Sequence, residues 1–181
     1  MPTVTIGPEN GRLTLHTGVE GRAAKAGHAL TIRMSDWSGT VTLEGSEPIA
    51  VSFRTSVASL EVISGEGGVK PLTDKDRQTI ESSALDTLSA AKHPDVTFVS
   101  RTISGRAGGY DVQGELLIAG TTSAVTAALD VQRAAGQATV ETTVPVVQTE
   151  FGLKPYTGLM GGLRVRDRVD VRLSFTVPEP Q

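Results

Sequence analysis

Between residues 163 and 177 apolar and polar positions alternate. Leu163, Val165, Val169, Val171, Leu173, Phe175 and Val177 are separated by Arg164, Arg166, Arg168, Asp170, Arg172, Ser174 and Thr176. A period of two gathers every apolar side chain on one side of a strand, so one face must be buried and the other wet. At about 3.3 Å per residue the run would reach roughly 50 Å, far beyond the usual strand of about 5–6 residues. It predicts one strongly bent strand, or two strands meeting near Asp167.

The same alternation recurs along the chain. It is carried by Leu13 and Leu15; by Leu30, Ile32 and Met34; by Val41 and Leu43; by Ile49, Val51 and Phe53; and by Val96 and Phe98. Tyr110, Val112, Leu116 and Ile118 form a further face, followed by Val125, Ala127, Leu129 and Val131, then Val140, Val144 and Val146. About eight or nine segments punctuated by Gly, Ser, Asp and Pro predict antiparallel hairpins in a barrel or sandwich.

One stretch breaks the period. Ile80, Ala84, Leu85 and Leu88 fall at helical spacing, Thr73 with Asp76 three residues on has the form of a capping box, and Pro94 keeps His93 out of helical geometry. A helix near residues 73–90 is expected. The glycine-rich Ser64–Pro71 segment before it reads as a mobile loop, and the tail Val177–Gln181 as frayed.

Composition then narrows the function. Of 181 residues 38% are hydrophobic, enough for a single domain over 1–181 with its core at about 10–177. The absence of cysteine removes disulfides, thiolate catalysis and sulfur-ligated metals. A net charge of -3 offers no positive field for phosphate backbones, and 4 Phe, 2 Tyr and 1 Trp offer no base-stacking platform. Nucleic acid is not an expected partner. No run is long and apolar enough to span a bilayer as a helix, and the start lacks the basic and apolar regions of an export signal, so a cytoplasmic location is expected.

Chemical motifs are sparse. His16, His28 and His93 are scattered without metal-ligand spacing, and neither a G-x-S-x-G elbow nor a phosphate-binding loop occurs. Gly65-Glu66-Gly67-Gly68 is explained by loop flexibility. His28 shares parity with Leu30, Ile32 and Met34, which leaves open an inward-pointing imidazole or a solvent-capped strand start. Asp167 is the one charge on the apolar face of the last strand, to be explained by a bulge, by an arginine partner or by chemistry. Arg164, Arg166, Arg168 and Arg172 share the other face, as a solvated, salt-bridged surface or as a basic stripe meeting anionic lipid.

Several segments, taken in order over about residues 10 to 177, resemble the YceI-like family of lipocalin-like, polyisoprenoid-binding proteins. Gly27-His28-Ala29-Leu30-Thr31-Ile32 with Trp37-Ser38-Gly39-Thr40-Val41 is similar to its opening hairpin. Leu72–Arg77, Ala84-Leu85-Asp86 and His93-Pro94-Asp95-Val96-Thr97-Phe98 resemble its helix and the following strand. Tyr110–Leu116 with Gly120-Thr121-Thr122, and Gln148–Tyr156 running into Leu163–Asp167, resemble its later hairpin and closing motif. The resemblance implies a mainly β fold, an extended antiparallel barrel of about eight strands with one short helix, holding an isoprenoid or similar long amphiphilic lipid.

On that basis Ile32, Met34, Phe53, Phe98, Leu116, Phe151, Val171 and Leu173 are the expected lining residues, with His28, Lys154 and Arg166 as head-group candidates. No catalytic residue, metal or cofactor is implied. Many family members carry an export signal, so a periplasmic role does not carry over. Two rival readings stand beside the carrier: an isomerase or cyclase using Asp167 or His28 as acid or base, and a ligand-free, stress-related structural module. Transient membrane contact fits a lipid cargo, and exposed sheet edges would favour a homodimer.

Overall fold

The computed structural model of the protein describes residues 1–179; Pro180 and Gln181, the end of the tail expected to fray, lie outside the described residues. Fourteen strands and one α-helix follow in chain order. The strands are β1 (Thr3–Ile6), β2 (Gly11–His16), β3 (Val19–Glu20), β4 (His28–Met34), β5 (Trp37–Glu44), β6 (Glu47–Ser56) and β7 (Leu60–Gly67). After helix α1 (Asp74–Thr87) come β8 (Asp95–Arg106), β9 (Gly109–Ile118), β10 (Thr121–Ala134), β11 (Gln137–Val147), β12 (Thr157–Gly158), β13 (Leu163–Val165) and β14 (Arg168–Pro178).

Eleven strands form one antiparallel sheet in the order β1-β5-β6-β8-β9-β10-β11-β14-β2-β4-β7, curled into a half-barrel. The expectation of eight strands in a closed barrel is corrected: the count is eleven, and β1 and β7 end the order. The reason lies in corners that a hydrophobic pattern does not mark. Residues 28–67 make one long hairpin, paired from Glu44↔Glu47 out to His28↔Gly67, but it folds over at Ser35-Asp36 on one arm and Val57–Ser59 on the other. Gly7–Asn10 interrupts the neighbouring ribbon between β1 and β2 in the same way. At the hairpin corner the Ser56 N–H donates to the Asp36 carbonyl at 2.9 Å and the Val57 N–H to the Pro94 carbonyl at 2.8 Å, so backbone groups leaving the ladder stay paired.

The alternating run at 163–177 divides near Asp167, as two strands. β14 enters the main sheet between β11 and β2, with His16 opposite Asp170, whereas β13 joins β12 and β3 in a separate three-stranded sheet. The tail is more ordered than expected. Pro178 pairs with Gln137, and the Glu179 N–H donates to the Gly136 carbonyl at 2.9 Å. Two tight turns account for the regular β9-β10-β11 meander. Ala119-Gly120 and Ala135-Gly136 all have positive φ, the two-residue turn whose twist matches the flanking strands.

Trp37 lies at the centre of the main core, 2% exposed, its ring stacked on Phe53 with centroids 5.7 Å apart. Ile6, Leu13, Ile32, Met34, Val62 and Phe175 are buried in the same cluster. Helix α1 lays Ile80, Ala84, Leu85 and Leu88 onto it, and Glu81 accepts the Val62 N–H at 2.9 Å, which satisfies a donor on edge strand β7. The segment expected to be a mobile loop is ordered up to Gly67 because β7 continues through it. Gly65 pairs with Leu30, and its missing side chain makes room for Leu72.

The capping box is present. Thr73 Oγ1 accepts the Asp76 N–H at 3.1 Å, and Asp76 Oδ2 accepts the Thr73 N–H at 2.9 Å. These bonds hold the Asp76 carboxyl below its usual range, with Lys70 and His28 adding to the effect. A depressed carboxylate stabilises the fold fully above its unfolded pKa of about 3.9, and that contribution is lost as pH falls through the folded value. Urea midpoints of the wild type and Asp76→Asn should therefore differ at pH 7 and converge as the pH falls through the depressed folded value; a constant difference would show that the charge is not what matters.

Candidate functional site

Because strand side chains alternate, each strand of the half-barrel sends every second residue to the inner face. On β10 that set is Ser123, Val125, Ala127, Leu129 and Val131, all half-buried, while Thr122, Ala124, Thr126 and Ala128 on the outer side are exposed. Leu116 on β9, Val144 on β11, and Val171 and Leu173 on β14 are half-buried on the same inner face. The molecule exposes 10304 Å² of surface, where a compact monomer of its size would expose roughly 8,300 Å². Leu129, Val131, Val171 and Leu173 pack against the main core cluster, and Leu116, Val125 and Val144 against a second one.

Two of the expected aromatic residues stand side by side there. Phe53 pairs with Phe98 across β6 and β8, and Phe98 with Leu116 across β8 and β9, so the three form a row across the curve of the sheet. Gly114 lies beneath the Phe98 ring. A Cβ at position 114 would come within 2.5 Å of the ring, so glycine is what lets the phenyl lie down on the sheet.

The eight expected lining residues divide into two groups. Phe53, Phe98, Leu116, Val171 and Leu173 are half-buried on the inner face. Ile32 and Met34 are packed into the main core at 5% and 4% exposure, and Phe151 is buried in a second cluster with Ile118, Val146 and Leu153. These three form the floor and walls of the structure, and the face also includes Val125, Ala127, Leu129 and Val144.

Of the head-group candidates, His28 borders a cleft of about 300 Å³ lined by Ala26, Val69, Lys70, Leu72, Asp76 and Ile80 among others. Its Nε2 is 2.8 Å from the Lys70 carbonyl. Leu72 and Ile80 also pack on the main core, so the floor of this cleft is apolar. Lys154 and Arg166 are exposed and stand elsewhere. Arg166 crosses Gly18, and its Nε donates to the Val19 carbonyl at 3.3 Å.

A residue that the hydrophobic pattern passed over sits on the helix. Arg77 precedes Ile80 and Glu81 by three and four positions, on the stripe that faces the core. Its Nε is buried and finds no acceptor among the described residues. A lone cation at the head of an apolar stripe was the signal available in the sequence.

Asp167 has a structural partner. Its carboxylate accepts the Thr149 N–H at 2.8 Å and the Thr149 hydroxyl at 2.5 Å, fixing the turn of helix at Gln148–Phe151. The basic stripe is divided between two sheets. Arg164 pairs with Glu20, and Arg168 with Asp170 at 2.8 Å. On the outer face His16, bonded to Thr14 at 2.9 Å, has its pKa lowered by burial and then by Arg172, with Asp170 opposing. Among the described residues no three metal-ligating side chains gather, and no helix is long and apolar enough to cross a membrane.

A YceI-like domain matches residues 6–177, and the chain belongs to that family. Membership, with its lipocalin-like fold, points to the binding of a hydrophobic ligand. Among solved structures the chain is similar to Burkholderia cenocepacia BcnA, at 18% identity and a TM-score of 0.69 over 95% of this chain and 99% of that one. It is also similar to a Campylobacter jejuni YCEI protein, at 15% identity and a TM-score of 0.63 over 83% of this chain and 85% of that one. No curated protein sequence matches it.

Proposed function

We propose that the protein is a non-enzymatic binder or carrier of an isoprenoid or similar long amphiphilic lipid, whose tail lies along the inner face. The observation that carries this reading is the set of half-buried apolar side chains on the inner face, with Phe53, Phe98 and Leu116 side by side in one row.

Selection falls to the head group. A forty-carbon tail transferred from water would gain roughly 30 kcal/mol at about 0.8 kcal/mol per CH₂, above any real affinity, but the tail arrives from a bilayer that is already apolar. Arg77 is suited to that task, because a buried N–H without an acceptor costs stability that a ligand carboxylate or phosphate would recover. His28, at the cleft leading to the core, is the second candidate.

The enzyme reading loses its acid to a structural bond, since Thr149 engages both Asp167 oxygens. The test is native mass spectrometry of gently purified protein with lipid extraction. One anionic amphiphile per chain is expected in the wild type. In Arg77→Leu the retained amount should fall at least about tenfold while thermal stability holds or rises. An empty wild-type protein prepared from lipid-rich cells would sink the proposal.

A further inference from the structure

The turn between β12 and β13 places its largest apolar side chains where nothing covers them. Met160 is fully exposed, Leu159 is 61% exposed and Tyr156, just before β12, is 52% exposed. Leu159 and Met160 both have positive φ, at 48° and 56°, a left-handed pair that non-glycine residues rarely form. The Gly162 N–H donates to the Leu159 carbonyl at 3.0 Å and closes the turn, while both side chains stay in solvent.

Cations flank the turn. The Ala23 N–H donates to the Gly162 carbonyl at 2.7 Å, so the segment carrying Arg22 and Lys25 is tied to the base of the turn. Lys154 lies on its other side in sequence. None of these three has an ion-pair partner among the described residues, and all are exposed. Residues 20–26 and 150–167 hold Arg22, Lys25, Lys154, Arg164 and Arg166 against Glu20, Glu150 and Asp167, five positive charges to three negative, in a chain whose net charge is -3. These two segments are therefore net positive.

The same end holds the cleft. Ala26, next to Lys25, lines it, and the opposite lip is formed by Val69, 85% exposed, and Lys70.

We infer that the Leu159–Met160 turn is a docking tip that inserts into the surface of an anionic bilayer, with Arg22, Lys25 and Lys154 held against the head groups and the His28 cleft facing the membrane. Apolar side chains ringed by lysine and arginine are the chemistry of an interfacial anchor. This inference deepens the lipid-binding reading by naming where cargo would enter, and rests on that reading only for the purpose of docking.

The full-length protein should co-sediment with vesicles of mixed phosphatidylcholine and phosphatidylglycerol, and far less with phosphatidylcholine alone. Leu159→Ser with Met160→Ser should lower partition to the anionic vesicles at least tenfold. Lys25→Glu with Lys154→Glu should do the same, since each basic residue near an anionic surface is worth roughly fivefold. Ala127→Trp, which fills the inner face, should dock normally, so docking and cargo binding fail separately. Wild-type protein that ignores anionic vesicles, a serine variant that partitions unchanged, or a tip-dependent dimer in the absence of lipid would overturn the inference.

Discussion

Ala127→Trp should leave the protein folded and strip it of hydrophobic ligand. Ala127 is opposite Val112 on the inner face of β10 and is half-buried although its side chain is a single methyl group. In a packed core a small-to-large change forces neighbours off their rotamers and costs about 1–3 kcal/mol. Here the indole would extend over the inner face and occupy the space assigned to the tail. The thermal midpoint should move by no more than a few degrees, while ligand carried through purification, measured by native mass spectrometry, falls at least about tenfold. Met34→Trp is the control, because Met34 is only 4% exposed and any added bulk there is overpacking. Unchanged retention in a folded Ala127→Trp protein would place the ligand elsewhere.

Trp37→Ala is expected to have the largest effect on stability. Trp37 is the one tryptophan of the chain and 2% exposed. Its ring lies on Phe53 and closes over Gly11, where even a Cβ would approach the indole to 3.0 Å. It begins β5 immediately after the Ser35-Asp36 corner, so it packs two halves of a bent ribbon together. Truncating a buried Trp to Ala costs about 3–5 kcal/mol, which at about 2–4 °C per kcal/mol for a chain of this size lowers the midpoint by roughly 6–20 °C. Calorimetry decides the matter, and a loss below about 1 kcal/mol would mean that the corner does not depend on this ring.

Period-two alternation was enough to find most of the sheet, because each inner residue has an outer neighbour that must stay polar. Leu163–Val177 shows where such reading stops. Alternation tells which way Val165 and Val169 face, but nothing in it says that β13 joins β3 while β14 joins β2, since both partners lie more than a hundred residues away. The corners were hidden for a similar reason. Ser35-Asp36 carries the backbone out of the ladder through hydrogen bonds to Ser59 and from Ser56, contacts that leave no mark on local hydrophobicity. Ser64–Gly67 was missed because glycine usually signals a turn, whereas here Gly65 clears space for Leu72.

The candidate site was legible in part. Phe53, Phe98 and Leu116 stood out as large apolar residues at inward parity, and they do form a row. Ile32 and Met34 satisfied the same criterion and are buried, because parity separates inside from outside but not how tightly a position is packed, and Phe151, expected from the closing motif, is buried in the second cluster. Arg77 needed the helix register and the absence of an acceptor together, and only the second of these is structural.

The seam between β14 and β2 bears on synthesis. His16 meets Asp170 across it, so the strand made almost first waits for the one made last. Contacts this distant in sequence make folding slow, since loop closure must precede the contacts that reward it. Until residues 168–178 leave the ribosome the half-barrel has an additional unpaired flank, and its apolar concavity is available to any chaperone or membrane nearby. For this chain, closing that seam and shielding the apolar inner face would then belong to the same moment.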